Sequence, residues 1–489
     1  MKLRKQIALC ILKTLKKEIK SEFRNTEQWR IAYKFGITVA ELEDLNPGMN
    51  DVIQPGDELN VPNISDKEEK LIESAYNYYE VLPKEGFYRL KVKLGLSQEE
   101  LEELNPELKE TDLKVGAVLK IPSNINVAGS LINVEVTNLE SNLKNFKTKK
   151  LALMMPYQLN RIDVDSINET KDMIKNSRRL SIVLDFHIGL IMALDSAKQL
   201  GISTDLKVLD TRYQVSTIGK LLGDNDFSDY DAVIGPLEEE SFNRVALALK
   251  GDRVPVIAAM NKPKEVYSNV FQTIPEDKLL RKTMIDFVKA DSLKSKVVII
   301  SDQAHSASSR ALKDEFANAK LIFSRKDEKN PKDAFFIYPT DLENVFASSV
   351  ISLLNGLIVD ETEIVLATLD KNKAFEGKDI DNNNLSNLKF HYPSVNKDFD
   401  ESKSNAFVRA YRKEYGVSPS KYVARGFDIT LDILMRLASE DNLYEASSDY
   451  IETEYIENKF RYNKALFGGY VNKAVYIVKY DDLRIVKAN

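Results

Sequence analysis

Histidine and cysteine are the side chains that most often make a metal site or a nucleophile, and this 489-residue chain holds few of them. Its three histidines, His187, His305 and His391, stand far apart, and none has a second ligand at the short spacing that zinc needs. Cys10 is the single cysteine, which excludes an internal disulfide framework and a cysteine-based zinc cluster. His187 lies in an apolar run with helical spacing, where a packed imidazole is the simpler expectation than a base. His305 ends the polar stretch Asp302-Gln-Ala-His305, a loop signal, and His391-Tyr392-Pro393 reads as the cap of a strand. The chain contains no glycine-rich phosphate loop and no Gly-x-Ser-x-Gly elbow. The expectation is therefore a protein with no catalytic residue, no metal and no cofactor.

A different polar signal is repeated. Trp29–Gly36 aligns with Tyr88–Gly95, and Glu41–Pro47 with Glu100–Pro106, both at an offset of 59 residues. After one inserted residue, Pro55–Pro62 aligns with Val115–Pro122. Each unit reads as helix, helix, strand. In the second, Leu90 and Leu94 share a face and Gly95 ends the helix as a residue tolerant of left-handed dihedrals. Ser97 and Glu100 form a capping-box pair, Leu101 and Leu104 face a core, and Asn105-Pro106 stops the second helix. Val118–Ile121 is the closing strand, and Tyr78–Leu82 is its expected partner. The matching stretch of the first unit, Lys13–Thr26, has no apolar alternation, so no regular opening strand is expected there.

This pattern resembles the LysM domain, a small βααβ module that binds N-acetylglucosamine-containing glycans such as peptidoglycan. The resemblance rests on Tyr79–Tyr88, Gly95, Leu104–Pro106 and Lys114–Pro122, and it implies a shallow groove between the loop after the first strand and the loop after the second helix. In the second unit the implied groove residues are Glu85, Gly86 and Phe87 with Asn105, Pro106, Glu107 and Leu108. In the first they are Thr26, Glu27 and Gln28 with Asn46, Pro47, Gly48 and Met49. The alternative is that these residues are turns and caps that hold each module together.

Around the repeat, composition and charge set limits. Hydrophobic residues make up 43% and charged residues 29%, a balance that supports a sizeable core. The formal net charge of −6 speaks against a general nucleic-acid binder, which needs a basic face. No run approaches the 18 or so consecutive apolar residues of a membrane span. Lys2, Arg4 and Lys5 precede the short apolar stretch Ile7–Leu12, so residues 1–19 are expected to form an atypical export signal or an N-terminal helix. Cys10 as a lipidation site meets Leu9 where a small residue is usual. The modules are expected at 20–63 and 77–123, with connectors at 64–76 and 124–148.

From Lys149 the texture changes. Apolar, β-branched runs, Leu151–Met155, Leu206–Leu209, Ala232–Ile234, Val256–Ala258, Val297–Ile300, Phe335–Tyr338, Ile364–Ala367 and Ala474–Val478, alternate with helical stretches such as Arg179–Leu200. That is the signature of doubly wound parallel sheets covered on both faces, and residues 149–489 are too many for one sheet. The stretches Asp185–Asp195, Tyr230–Pro236, Val254–Ile257, Asn269–Pro275, Val297–Asp302 and Tyr415–Asp428 resemble type I periplasmic binding proteins of the Leu/Ile/Val-receptor class. The fold class is thus α/β: two βααβ modules and a two-lobed domain. In open α/β sheets ligands sit beyond the carboxyl ends of the strands, which here points to Pro156, Tyr157, Gln158, Gly235, Pro236, Leu237, Glu238, Ala259, Met260, Asn261, Asp302, Gln303 and Thr340. Receptors of that class hold a ligand carboxylate with hydroxyls and backbone amides, whereas this chain has Ala258, Ala259 and Met260 there, and Glu238, Glu239 and Glu240 nearby. The glutamates either repel an anionic ligand or sit harmlessly at a helix N-terminus. The expected role is a cell-envelope or periplasmic peptidoglycan binder whose two-lobed domain docks a protein partner, a use with precedent in binding-protein-like regulators of wall synthesis. The rival is a receptor delivering amino acids or another small solute to an ABC-type transporter.

Overall fold

The computed structural model describes residues 16–20, 26–27, 31–32, 35, 37–49, 52–53, 58–62, 76–81, 86–109, 113 and 118–122. Within 136–488 it describes all but 163–165, 292–295, 302–304, 317, 324–333, 339–343, 360–362, 372, 399–405, 448–450 and 466–467. The chain divides into two units, 1–131 and 132–489.

In the first unit the elements are β1 (Lys16–Lys20), β2 (Thr26–Glu27), α1 (Val39–Leu45), β3 (Val52–Ile53) and β4 (Glu58–Pro62), then β5 (Tyr76–Glu80), α2 (Phe87–Leu94), α3 (Gln98–Leu104) and β6 (Val118–Pro122). β1 pairs antiparallel with β4, and β5 with β6, in the same register: Ile19 opposes Leu59 as Tyr79 opposes Leu119. The sequence leads one to expect an irregular opening strand in Lys13–Thr26 and a signal or helix over 1–19, whereas the structure has a regular strand from Lys16 to Lys20. KKEIK offers one apolar residue, too few for an alternation to be visible, and the partner strand with its buried Leu59 and Val61 supplies the order instead. In the second module the opening strand begins two residues earlier than expected. The capping boxes are as read: Glu100 donates its N–H to Ser97 Oγ at 3.2 Å and Ser97 to Glu100 Oε2 at 2.8 Å, and Thr38 and Glu41 repeat the exchange. Gly95 takes the left-handed conformation at φ 72°.

The second unit holds two sheets. β7 (Lys149–Met155), α4 (Ile167–Asn176), α5 (Arg178–Gln199), β8 (Thr204–Asp210), α6 (Val215–Asp224), β9 (Ala232–Ile234), α7 (Glu239–Leu249), β10 (Val256–Ala258) and β11 (Val270–Gln272) build the first lobe. α8 (Asp277–Asp291) leads to β12 (Lys296–Ile300), α9 (Ser306–Asp314), β13 (Lys320–Ile322), β14 (Ala334–Tyr338), α10 (Asn344–Asn355), β15 (Ile364–Thr368), α11 (Asn382–Asn387) and β16 (His391–Ser394) of the second. The chain then returns through α12 (Ala406–Tyr415), α13 (Lys421–Ser439), the hairpin β17 (Thr453–Glu454) and β18 (Lys459–Phe460), and β19 (Tyr462–Lys464) and β20 (Tyr470–Asn472), before β21 (Tyr476–Asp481) and β22 (Arg484–Lys487) complete the second lobe. The sheet orders are β19-β20-β11-β10-β9-β7-β8 and β13-β12-β14-β15-β16-β21-β22. The first is parallel except at β19, and the second except at β21 and β22. The chain therefore passes between lobes three times.

Both faces of each sheet are covered, which is why the strands read as unbroken apolar runs. In β7, Leu151, Leu153 and Met155 enter one core while Ala152 and Met154 enter the other. In β12, Val298 and Ile300 face one core and Val297 and Ile299 the opposite one. α5 is the one described helix long and apolar enough to cross a membrane by length and composition. Its inner face, with Val183, Phe186, Leu190 and Ala193, is buried in the lobe against α13. The two helices meet backbone to backbone at reciprocal glycines: a Cβ on Gly189 would lie 2.0 Å from Val423 O, and one on Gly426 2.1 Å from Phe186 O. Residues 136–148, read from sequence as connector, belong to this unit. Leu139 is buried in the first-lobe core, Lys144 and Asn145 donate their N–H groups to Ala438 O, and Val136 bridges Glu452.

Candidate functional site

The repeated Asn-Pro pairs were placed in the glycan groove. The structure turns both asparagine side chains inward. Asn105 is fully buried; its Nδ2 donates to Leu101 O and Lys120 O, both at 2.9 Å, and its Oδ1 accepts from Lys120 N at 2.6 Å. Asn46 makes the same three bonds, to Leu42 O, Asn60 O and Asn60 N. Each amide ties a helix C-terminus to the closing strand. Leu108 is likewise core, packed with Leu90, Leu101 and Leu119. For these three side chains the architectural role is the observed one, because a neutral amide with one acceptor and two donors matches the strand edge it meets.

What remains at the surface is a smaller patch. Gly86 is exposed at the N-terminus of α2, Phe87 is half-buried against the module core, and Pro106 is exposed in the turn that also carries Glu107. Tyr88, not singled out from sequence, is 80% exposed next to them. In the first module Pro47 and Gly48 are exposed, Gly48 at φ 86°, and Met49 packs partly on the core. Thr26 and Glu27 lie not in a loop but in β2, paired with Ile53 and Val52. Glu85 and Gln28 fall outside the described residues.

In the two-lobed unit the predicted residues do gather at the carboxyl ends of the first-lobe strands. After β7, Tyr157 Oη sits 2.7 Å from His187 Nδ1, edge to face, and burial lowers the imidazole's pKa and raises the phenol's. Gln158 adopts φ 57°, its N–H bound by Asp210, which also accepts from Leu159 and Arg212. After β9, Gly235 takes φ 85° ahead of the cis peptide to Pro236, and a Cβ there would strike Met154 O at 2.4 Å. Leu237 and Met260 pack on the core. The three glutamates resolve as the harmless alternative: Glu238 is the N-cap of α7 and accepts from Ser241 Oγ, and Glu239 and Glu240 fill the first turn. Both side-chain polar atoms of Asn261 are buried, with no hydrogen-bond partner among the described residues. Asp302, Gln303 and Thr340 fall outside the described residues.

Ala258, Ala259 and Met260 carry no side-chain donor of their own, and the donor beside them comes from a distant part of the chain. Arg425, from the first turns of α13, donates Nε to Ala259 O at 2.8 Å, Nη2 to Thr273 Oγ1 at 2.8 Å and Nη1 to Asn458 Oδ1 at 2.7 Å. Thr273, just beyond β11, donates its hydroxyl to Ala258 O at 2.6 Å. Burial lowers the guanidinium to about 10. The spot thus holds a cation and a hydroxyl, both committed to protein carbonyls. Arg425 lies 166 residues from Ala259, so no local spacing announces the contact. Three turns along the same helix the buried Arg436 pairs with Asp432 at 2.9 Å and donates to Ala446 O and Phe460 O. Between them Asp428 grips the tip of the β17–β18 hairpin, accepting from the N–H groups of Ile456, Glu457 and Asn458 and from Asn458 Nδ2, at 2.8 to 3.0 Å.

Set beside known proteins, residues 29–62 and 79–122 match the LysM domain family model, so the repeat is a pair of LysM modules. No curated protein sequence matches the chain. Solved structures similar to the remainder are of the periplasmic-binding-protein type. A putative branched-chain amino acid ABC transporter protein from Rhodospirillum rubrum is 12% identical, with TM-score 0.45, covering 70% of this chain and 100% of its own. The C-domain of LpoA from Haemophilus influenzae, described as a regulator of PBP1A, is 11% identical, with TM-score 0.43 and the same coverages. A leucine-bound substrate-binding protein from Desulfitobacterium hafniense is 15% identical, with TM-score 0.37, again covering 70% and 100%.

Proposed function

We propose that this is a cell-envelope protein that holds peptidoglycan through its LysM modules and uses its two-lobed domain as a protein-docking scaffold or regulator rather than as an enzyme. The wall-binding half is supported by the two family matches and by the exposed patch of Gly86, Tyr88 and Pro106. Two weak sites on one chain raise avidity for a polymer without tight single-site binding. The scaffold half is carried by Arg425. Its guanidinium lies just beyond the carboxyl end of β10, the side of the sheet from which ligands of open α/β folds are held, and is bound to the Ala259 carbonyl. A solute would have to displace bonds already made, at a cost of about 1.5–3 kcal/mol for each bond to the charged group.

The second reading, a solute receptor, is favoured by one observation: the buried amide of Asn261 has no hydrogen-bond partner among the described residues, and such groups in native proteins usually await one. One set of experiments separates the two. The full chain should sediment with purified sacculi, and a chain lacking residues 1–123 should not. A thermal-shift screen with the common amino acids should be flat, and crosslinking in envelopes should yield a recurrent protein partner. A rise of several degrees with any single amino acid restores the receptor reading, since a ligand in hundredfold excess over Kd stabilises by about 2.7 kcal/mol.

A further inference from the structure

Glu457 stands at the tip of the β17–β18 hairpin and is 5% exposed. Its backbone is fixed from both sides: its N–H is held by Asp428 of α13, and its carbonyl accepts from Lys397 N, on the strand leaving β16, at 2.9 Å. Asn396 bridges Asn458 alongside. The passage that leaves β16 for the first lobe therefore meets the hairpin at this residue. Yet among the described residues no hydrogen bond and no ion pair reaches its carboxylate, whereas Glu452 and Glu454 of the same hairpin are both paired with lysines.

The groups facing Glu457 are Asp428, Lys421 and Arg425 from α13, Asp398 from the passage after β16, and Tyr476 at the start of β21. Asp428 is saturated by four N–H donors and Arg425 by its three acceptors. Lys421 is exposed, its ammonium 5.5 Å from the Tyr422 ring centroid. Two like charges stand close, and the nearby cations are outside ion-pair distance. A carboxylate so placed is unstable unless it keeps a proton or meets a cation.

We propose that Glu457, with Asp398 beside it, is the seat for the primary ammonium of a small organic amine, so that the hairpin tip and the passage leaving β16 together form a binding site. A metal ion fits less well, since no group of three metal-ligating side chains converges among the described residues. An ammonium brings three donors on a slim stem, which suits a carboxylate that is 5% exposed. Burial, with Asp428 and Asp398, pushes Glu457 up to about 8, so near neutral pH the site is mostly the acid. The docking ammonium displaces that proton: one N⁺–H···O⁻ contact forms and one proton leaves for solvent. Binding must therefore strengthen as pH rises. This inference does not rest on the docking role proposed above.

The test uses the full chain, titrated calorimetrically with methylammonium and with 1,4-diaminobutane, each in two buffers of different ionisation heat and against sodium chloride of equal ionic strength. The expected result is millimolar or tighter amine binding that releases close to one proton at pH 7 and gains about tenfold in affinity per pH unit below the carboxyl's pKa. Glu457→Gln should lose the pH slope and weaken binding by about tenfold or more. Asp398→Asn, at an exposed position that tolerates change, should weaken it while keeping the slope. Absence of amine binding, an equal response to sodium chloride, or an unchanged slope in Glu457→Gln overturns the proposal.

Discussion

Two regions of this molecule pin a backbone segment with one buried polar side chain, and they do it with opposite chemistry. In each LysM module a neutral amide, Asn46 or Asn105, stitches the helix end to the closing strand with two donated bonds and one accepted. In the two-lobed unit a carboxylate, Asp428, accepts four N–H groups from the hairpin tip. The amide asks nothing of its surroundings beyond shape. The carboxylate brings a charge indoors, and with it Arg425, Glu457 and Asp398 become a coupled set. The amide clamp should be indifferent to pH; the carboxylate clamp should not.

The largest expected effect comes from breaking the charged clamp. Asp428→Asn places an NH2 group against backbone N–H donors and should destabilise the two-lobed unit by about 3–4 kcal/mol, read by urea denaturation. A loss below about 1 kcal/mol would mean that the four bonds are dispensable. Next is Asn105→Ala, which removes the side-chain bonds to Lys120 O and from Lys120 N and should cost about 2–3 kcal/mol, seen as loss of the module's NMR dispersion. If Asn105→Asp is as stable as the wild type, the donated bonds are not what the module needs.

The third prediction concerns pH. Glu457 titrates at about 8 in the folded protein against an ordinary 4.5, because of burial and then of Asp428 and Asp398. The native state holds the proton more tightly. The stability it contributes is complete below about 4.5 and is lost as pH rises through about 8. The clean window is above 6.5, because burial lowers His391 to about 4 and its imidazole is then neutral folded or unfolded. Between pH 6.5 and 8.5 the thermal midpoint of the two-lobed unit should fall by several degrees, and Glu457→Gln should flatten the curve. The module transitions should stay level over that range; a parallel decline in both regions would erase the contrast. The smallest effect is on the surface. Tyr88→Ala should leave module stability within about 0.5 kcal/mol while weakening sedimentation with sacculi several-fold. Equal sedimentation would remove Tyr88 from the glycan patch.

Much of this architecture was legible beforehand, and the reasons are local. The Ser97–Glu100 box, Gly95 and the seven apolar runs from Leu151 to Ala367 act through neighbours a few residues away, so pattern alone located them. KKEIK was missed because its strand is imposed by β4. The groove asparagines were misjudged because a polar residue before proline looks alike whether it faces water or a strand edge. Arg425, Asp428 and Glu457 were invisible as a site because their partners lie 28 to 166 residues away along the chain.

The glycine crossing of α5 and α13 bears on how the chain comes to be folded at all. The groove in α5 at Gly189 is filled by a helix that begins 232 residues later, and β19 and β20 close the first sheet later still. A nascent first lobe therefore exposes the apolar side of α5 and one open sheet edge until nearly the whole chain has been made. Contacts of such long sequence separation slow folding, and they prolong the time for which that apolar side stays open to wrong association. In a chain ending at residue 400 the first lobe should accordingly remain protease-sensitive, and adding residues 421–472 in trans should restore protection to it.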